Sequence, residues 1–181
     1  MREIALHIMD LIENSIRAQA SVIAVVLEVD PGRDRLRVIV EDNGTGLKVS
    51  PQEALDPFYT TKRGKRTGLG LSLFKAAAEA AGGRLTIDKS KLGNTGVRVT
   101  AEMQLSHVDR TPLGDLASTL AGVVCTHPEI DFRFTLRLGA DGREVRVAEL
   151  AGAVGDGNPL KLAREVQARV AAALQECQVS I

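Results

Sequence analysis

The chain has 181 residues and a formal net charge of zero, because 23 Lys and Arg residues balance 23 Asp and Glu residues. This length allows one compact domain, or one domain with a sizeable extension, and the charge balance excludes a global field that would recruit nucleic acid or an anionic membrane. Any anion site must therefore be local. With no Trp and one Tyr, a stacking surface for single-stranded nucleic acid is also disfavoured.

The beginning of the chain predicts one helix and two strands. Apolar side chains recur with a helical period over residues 3–18. Residues 22–29 (VIAVVLEV) and 35–42 (RLRVIVED) are typical of strands, and they are joined through Pro31 and Gly32. The chain therefore opens with the order helix, strand, strand.

A second helix and a hairpin follow a polar loop that contains glycines. The helix is predicted from about Ser72 to Ala81, and Gly82 and Gly83 end it. RLTID (84–88) and GVRVTAEMQL (96–105) are typical of two strands whose turn lies near Gly93 and Asn94. Together with the first three elements they predict an α/β fold, a two-layer sandwich in which a mixed sheet carries helices on one face.

The pattern changes after about His107. The remaining elements are a helix over TPLGDLASTLAGVV, strands FRFTLRL and EVRVAEL around a turn from Ala140 to Arg143, and a last helix from Asn158 and Pro159 to Cys177. We therefore predict a first domain over residues 1–106 and a small C-terminal αββα extension over residues 107–181. We expect the extension to stabilise the protein or to bind a partner.

Two common phosphate-binding loops do not fit this sequence. The glycines after the second strand begin like a dinucleotide fingerprint, but Val49 stands where the third glycine belongs and no convincing helix follows before Pro51. Around Gly64 and Gly70, the spacing of a Walker loop is absent as well. A nucleotide site here would need a different geometry.

Polar side chains form a stripe along the first helix. His7, Asp10, Asn14 and Arg17 are spaced by three and four residues and so share one face. A solvated face is the ordinary explanation of charge at this spacing. The alternative is a site, because a carboxylate and an amide one turn apart can hold a hydrated Mg²⁺ or a water molecule.

Two glycine-bearing segments complete the set of candidates. EDNGTGL (41–47) places Asp42 before Gly44 and Gly46, where a flat ligand could approach the backbone, although Asp-Asn-Gly is also ordinary turn chemistry. Asp42 could accept a hydrogen bond from an exocyclic amine such as that of adenine. RTGLGLS (66–72) lies between the basic run TKRGKR and a predicted helix.

Four motifs in this order resemble those of one superfamily. They are DLIENSIRA (10–18), EDNGTGL (41–47), PFYTTK (57–62) and TGLGLS (67–72). Together they resemble the GHKL superfamily of ATPases, which comprises DNA gyrase, heat-shock chaperone, histidine kinase and mismatch-repair ATPases. The resemblance covers roughly residues 3–105, and it implies a Bergerat-type fold that binds ATP with Mg²⁺.

The resemblance also implies roles for individual residues. Asn14 would hold Mg²⁺ against the phosphates, Asp42 would read the adenine amino group, and Gly44 and Gly46 would pass close to the base. Thr100 would touch the base through water, unless it is simply a strand threonine. The resemblance further implies a mobile lid that carries the cationic side chains of Lys62, Arg63, Lys65 and Arg66. It also implies that phosphate oxygens are bound by the backbone amides of Gly68, Leu69, Gly70 and Leu71 at a helix N-terminus.

The choice of activity depends on one position. Hydrolysing branches of the superfamily place a glutamate as general base one turn before the asparagine, and kinases usually have an asparagine there, whereas this chain has Asp10. Hydrolysis is therefore allowed and unproved. Arg66 also stands where a glycine is common.

Three hypotheses remain open. The first is a stand-alone kinase subunit that phosphorylates a separate partner protein, since PFYTTK and the second glycine box look most like sensor histidine kinases. The second is a weak ATPase that uses Asp10 to switch conformation. The third is a non-catalytic module of the anti-sigma-factor type, in which ATP only sets the lid and a partner is bound.

Histidine, cysteine and hydropathy patterns add three expectations. The first motif, DLIENSIRA, begins almost at the N-terminus, so we expect no phosphoacceptor helix or sensor region before it. His7 is better explained as a helix-face or hydrogen-bonding histidine than as a phosphoacceptor. Cys125 and Cys177 lack metal-ligand spacing, which favours a reducing compartment, and we expect the cytoplasm. No apolar run is long enough for a membrane span.

Overall fold

The computed structural model describes residues 3–56, 69–155 and 157–176. Its elements are α1 (Ile4–Arg17), β1 (Val22–Asp30), β2 (Arg35–Asp42), α2 (Pro51–Leu55), α3 (Gly70–Ala80), β3 (Arg84–Lys89), β4 (Val97–Gln104), α4 (Leu116–Thr126), β5 (Asp131–Leu138), β6 (Asp141–Arg146), α5 (Val147–Val154) and α6 (Pro159–Glu176). A single turn of 3-10 helix, Pro31–Arg33, joins β1 to β2. The predicted opening order of helix, strand, strand is confirmed.

The six strands form one mixed sheet. Their order is β3-β4-β2-β1-β5-β6, and all neighbours are antiparallel except β1 and β5, which run parallel with Val25 opposite Phe134. The predicted fold class, a mixed sheet with helices, is therefore confirmed. Residues 107–181 supply β5 and β6 to this same sheet, and the division of the chain at residue 106 stays a prediction.

One face of the sheet is covered by helices. Along β1 every second side chain is buried, from Ile23 to Val29, as the two-residue period of a strand requires. The apolar stripe of α1, with Ile4, Ile8 and Leu11, packs on this face. The buried apolar side chains of the described residues form one cluster, which includes residues from both halves of the chain.

The other face of the sheet carries a ladder of opposite charges. Arg84, Glu102, Arg37, Glu28 and Arg137 lie side by side on five adjacent strands. Successive members form ion pairs with N to O distances of 3.2, 2.8, 3.1 and 2.9 Å. Because cross-strand neighbours of opposite charge attract each other, this face is compatible with water without a covering layer.

The first turn of α1 is held by the segment after β4. The amide groups of Ile4 and Ala5 donate to the carbonyl oxygens of Pro112 and Leu113, both at 2.9 Å. These amides belong to the first helical turn, which has no partners within its own helix. The C-terminal part of the chain therefore fixes the helix that carries the candidate residues Asp10 and Asn14.

The predicted strand EVRVAEL is wrong in its second half. The strand ends at Arg146, and Val147–Val154 forms the additional helix α5, which ends at Gly155 in a left-handed conformation. Val147, Leu150 and Val154 have helical spacing, and Val147 is buried. In its described part, the extension is thus a helix, two strands and two helices.

Candidate functional site

A cavity of about 100 Å³ lies between α1, the end of β2 and the start of β4. Its walls are mostly apolar side chains with a few polar groups, which is the usual character of a small-molecule site. The lining residues are Leu11, Asn14, Ser15, Ala18, Val40, Asp42, Gly46, Leu47, Leu71, Val97 and Val99. The structure thus brings together residues from three of the four sequence motifs.

The carboxylate of Asp42 is the principal polar group of the cavity. It is 5% exposed. Its Oδ1 accepts a hydrogen bond from the amide of Gly44 at 2.8 Å, and its Oδ2 accepts one from the Ser15 hydroxyl, also at 2.8 Å. An ionised carboxylate has about four acceptor positions, so it retains acceptor capacity for a donor that enters the cavity.

Glycines allow the backbone to approach closely around Asp42. A Cβ at Gly44 would lie 2.7 Å from the carbonyl oxygen of Ala18, and one at Gly96 would lie 2.0 Å from the carbonyl oxygen of Asp42. Gly96 and Gly46 also have positive φ angles, +109° and +81°. Sequence reasoning named Gly44 and Gly46 and missed Gly96, because only the antiparallel pairing of β4 with β2 places Gly96 against the end of β2.

Glu41, the neighbour of Asp42, holds the β3–β4 loop against the site. It is buried, its Oε1 accepts from Ser90 Oγ at 3.1 Å and from the amide of Lys91, and its Oε2 pairs with Arg98. Sequence reasoning missed this residue as well. The sequence feature that could have identified Glu41 is its position directly before Asp42 in the same motif. Successive strand residues face opposite sides of the sheet, so Glu41 points away from the side to which Asp42 points.

The start of α3 lies beside α1 at Asp10. A Cβ at Gly70, the first residue of α3, would come within 2.8 Å of Asp10 Oδ2 and 3.1 Å of Asp10 Cβ. Leu69, the N-cap residue, provides no side-chain hydrogen bond to the helix. The positive end of the α3 dipole is therefore not capped by a side chain of that residue, and such an end attracts anions.

Asp10 and Asn14, one turn apart on α1, differ in their surroundings. Within the described residues, Asp10 has no hydrogen bond or ion pair, and partial burial together with the nearby Glu13 carboxylate raises the pKa of Asp10. The Asn14 side chain is exposed and lines the cavity, and its Oδ1 accepts from Arg17 at 3.3 Å. Both side chains offer the oxygen ligands that Mg²⁺ prefers.

His7 lies in the contact between α1 and α3. It is 1% exposed, and its ring stacks on Phe74 with the ring centres 4.6 Å apart and the planes 9° from parallel. Neither ring nitrogen has a hydrogen-bond partner within the described residues, and burial lowers the pKa of His7 to about 4. The expectation of a helix-face or hydrogen-bonding histidine is corrected: His7 is a stacked core residue.

Some predicted site residues are not part of this cluster. Thr100 lies between Ile39 and Thr86 in the sheet, whereas its neighbours Val99 and Ala101 point to the helix-covered face. Successive strand residues face opposite sides, so the structure does not bring Thr100 to the cavity. Lys62, Arg63, Lys65, Arg66, Gly68 and the motif PFYTTK lie outside the described residues.

The donor set indicates how a metal ion would be held. Within the described residues there is no cluster of three or more His, Cys, Asp or Glu side chains that could hold a metal ion. A hard cation near Asp10 and Asn14 would therefore need further oxygen ligands from water or from a bound phosphate. Oxygen ligands at one end and a buried acceptor at the other fit a magnesium nucleotide.

The structural comparisons agree with the fold. The N-terminal domain of a DNA repair protein matches with a TM-score of 0.56 and 17% identity, over 87% of this chain and 58% of that chain. The MutL ATPase domain of Aquifex aeolicus complexed with ADP matches with a TM-score of 0.51 and 16% identity, over 92% of this chain and 69% of that chain. In both cases the match extends beyond residue 106, because it covers most of the present chain.

The sequence comparisons identify bacterial sensor kinases. The sensor protein kinase CarS of Pseudomonas aeruginosa is 36% identical over 93 residues, which are 48% of this chain and 19% of CarS. The alginate biosynthesis sensor protein KinB of Pseudomonas aeruginosa is 35% identical over 80 residues, which are 43% of this chain and 13% of KinB. The chain therefore matches less than a fifth of each relative.

A family model matches more than half of the chain and includes every residue that lines the cavity. It is the model of the histidine kinase-, DNA gyrase B- and HSP90-like ATPases, and it matches residues 2–107. No helix of the described residues has the length and apolar character needed to cross a bilayer. The chain belongs to the family of histidine kinase-, DNA gyrase B- and HSP90-like ATPases.

Proposed function

We propose that this chain binds ATP with Mg²⁺ in the cavity and acts as a kinase subunit that phosphorylates a separate partner protein. The observation that carries the proposal is Asp42, a buried carboxylate fixed by Ser15 and Gly44 at the end of an apolar cavity. A carboxylate accepts hydrogen bonds only, so it favours a base with an exocyclic amine over one that presents a carbonyl oxygen. The amino group of adenine therefore suits this position.

The opposite end of the cavity supports a role in holding phosphates. Leu71 lies in the first turn of α3 and lines the cavity, and Asp10 lies beside Gly70. Amides at a helix N-terminus bind phosphate oxygens, and Asn14 and Asp10 would supply oxygen ligands to Mg²⁺ directly or through water. The magnesium ion, when bound, neutralises phosphate charge and orients the triphosphate.

We also propose that the protein is located in the cytoplasm.

The proposal of a separate phosphoacceptor rests on the histidines. Of the three histidines, His7 is buried under Phe74, and His107 and His127 lie beyond β4, outside the lining of the cavity. None of them is presented to the proposed phosphate end within the described residues. The chemistry of the sensor kinases to which the chain is similar therefore favours transfer to another protein.

A weak ATPase is the second candidate, and the environment of Asp10 favours it. The raised pKa of this half-buried carboxylate, which has no ion pair among the residues that the structure describes, makes it a stronger base than an exposed aspartate. Asp10 could then orient or deprotonate a water molecule near the γ-phosphate, and hydrolysis would reset the conformation of the protein.

One experiment separates these candidates. The γ-phosphate of labelled ATP is followed with Mg²⁺ and purified protein, together with Asp10→Asn and Asn14→Ala variants. We expect wild-type protein to bind ATP without releasing phosphate, and Asn14→Ala to bind it more weakly, which leaves transfer to await a partner. Phosphate release that Asp10→Asn abolishes would establish the ATPase instead, and absence of binding would overturn both candidates.

A further inference from the structure

We infer that Asn43 is a positioning residue for recognition of the base. Its side chain fastens residues 43–45 to the turn between α1 and β1, and this contact keeps the carboxylate of Asp42 in the orientation that receives the base. The inference rests on the proposed function, in which Asp42 accepts a hydrogen bond from the amino group of adenine. It assigns to Asn43 an effect on which base is bound rather than on how the phosphates are held.

The side chain of Asn43 makes three hydrogen bonds around the start of β1. Its Oδ1 accepts from the amides of Ser21 and Val22, both at 2.9 Å, and its Nδ2 donates to Ser21 Oγ at 2.9 Å. The backbone amide of Asn43 also donates to the carbonyl oxygen of Val22 at 3.3 Å. Two consecutive amides that converge on one oxygen require an acceptor there, so residue 43 is held both in position and in orientation.

The turn between α1 and β1 is bonded to the same segment at a second point. The amide of Thr45 donates to the carbonyl oxygen of Ala18 at 2.9 Å, and a Cβ at Gly44 would lie 2.7 Å from that oxygen. Gln19, in the middle of the turn, has a φ of 59°, in the left-handed region that residues with a Cβ rarely adopt. Residues 43–45 therefore lie against a turn whose conformation depends on contacts from outside it.

The effect of Asn43 on the base passes through Gly44. The amide of Gly44, the next residue in the chain, donates to Oδ1 of Asp42 at 2.8 Å. If Asn43 released the turn, this amide would no longer be held at the carboxylate, and the hydrogen bond from Asp42 to a base would lose its geometry and weaken. Asn43 is not among the described residues that line the cavity, so it acts on the base through its neighbours.

The test compares ATP with purine riboside triphosphate, an analogue that lacks the amino group of adenine. Titration calorimetry in excess Mg²⁺ gives the two dissociation constants, and their ratio reports how well the amino group is recognised. For wild-type protein we expect ATP to bind roughly tenfold more tightly than the analogue, as for a hydrogen bond to a charged group. In Asn43→Ala this ratio should fall by about threefold or more, because ATP loses affinity and the analogue loses little.

Asn94→Ala is the matched control, because Asn94 is an exposed residue of the nearby β3–β4 loop, and it should leave the ratio unchanged. A merely structural role of Asn43 would weaken both ligands in parallel. An unchanged ratio in folded Asn43→Ala would therefore overturn the inference and leave the proposed function intact. Equal binding of both ligands by wild-type protein would overturn the role of Asp42 and the inference with it, and absence of ATP binding would overturn the proposed function itself.

A second measurement uses wild-type protein alone, so the inference does not depend on the folding of a variant. Hydrogen exchange of single amides is followed by NMR with and without ATP and Mg²⁺. Because ATP binding and the fastening of the loop stabilise each other, ATP should slow exchange at Ser21 and Val22 as well as at Gly44. The amide of Asp34, in the connection at the other end of β1, should be unaffected. Slower exchange at Gly44 without any change at Ser21 and Val22 would contradict the inference.

Discussion

The hydroxyl of Ser15 donates a 2.8 Å hydrogen bond to Oδ2 of Asp42 and so joins α1 to the end of β2. Both residues are buried. The bond fixes the orientation of the Asp42 carboxylate and occupies one of its acceptor positions. The direction in which the remaining acceptor positions face the cavity therefore depends on a side chain of α1.

The first prediction concerns this bond. Ser15→Ala leaves a buried carboxylate with one donor fewer, so we expect a loss of about 1–3 kcal/mol in the free energy of unfolding. ATP affinity should fall as the Asp42 side chain gains rotational freedom. Urea denaturation and ATP titration measure the two effects. Ser118→Ala, at an exposed residue of α4, is the control, and equal behaviour of the two variants would contradict the prediction.

The second prediction concerns Gly96. An alanine there would place its Cβ 2.0 Å from a backbone oxygen and would also adopt a φ of +109°, so we expect Gly96→Ala to lower stability by at least about 2 kcal/mol. Gly93→Ala, in the same loop, is the matched control, because the nearest atom to its Cβ is 3.5 Å away. Thermal unfolding of both variants checks the difference, and similar melting temperatures would refute the account of this loop.

The third prediction concerns His7 and pH. His7 stays neutral in the folded protein down to about pH 4, whereas in the unfolded chain it takes up a proton below about pH 6.5. Between these values unfolding is coupled to proton uptake, so stability should fall as the pH falls from 6.5 to 4, by roughly 3 kcal/mol from this residue.

The variant His7→Phe tests this assignment. It keeps the stack on Phe74 and removes two nitrogens that have no partner within the described residues. We expect it to be more stable than wild type at pH 7.5 by about 1 kcal/mol and to lose much of the slope between pH 6.5 and 4. Urea denaturation across this range is the measurement, with His127→Gln, outside the α1–α3 contact, as control. A slope equal to that of wild type would contradict the assignment.

The fourth prediction concerns the C-terminal part of the chain. Residues 1–106 alone would leave the β1 edge that pairs with β5 exposed, and would remove the carbonyl groups of Pro112 and Leu113 that hold the first turn of α1. We expect this fragment to aggregate or to unfold well below the full chain, because an unpaired apolar strand edge is prone to association. Size-exclusion chromatography and thermal unfolding decide the point, and a monomeric fragment as stable as the full chain would show that the extension has no stabilising role.

Local patterns were sufficient for most of the first hundred residues. The helical period of α1 and the alternation of β1 and β2 are strong signals, and the structure confirms the elements they predict. The parallel pairing of β1 with β5 could not be predicted in this way. The Cα partners Val22 and Asp131 are far apart in the sequence, and no turn between them specifies the register.

For the site, too, local motifs could be predicted and long-range contacts could not. Asp10, Asn14 and Asp42 belong to motifs that are visible in the sequence, and the structure places them around one cavity and the adjoining start of α3. Gly96 was missed because its importance arises from contact with another strand. Thr100 was included although the alternation of Val97, Val99 and Ala101 already assigns it to the other face of the sheet, so here the sequence held the answer.

The parallel pairing of β1 with β5 also has a consequence for how the protein folds. β1 ends at Asp30 and β5 begins only at Asp131, so this contact closes a long loop, which is entropically costly and slow compared with hairpin formation. During synthesis the four strands of the N-terminal half emerge first, and β1 cannot pair with β5 until the remainder of the chain has been made. The helix that carries Asp10 and Asn14 receives its last anchor late, and nucleotide binding should therefore appear among the final events of refolding.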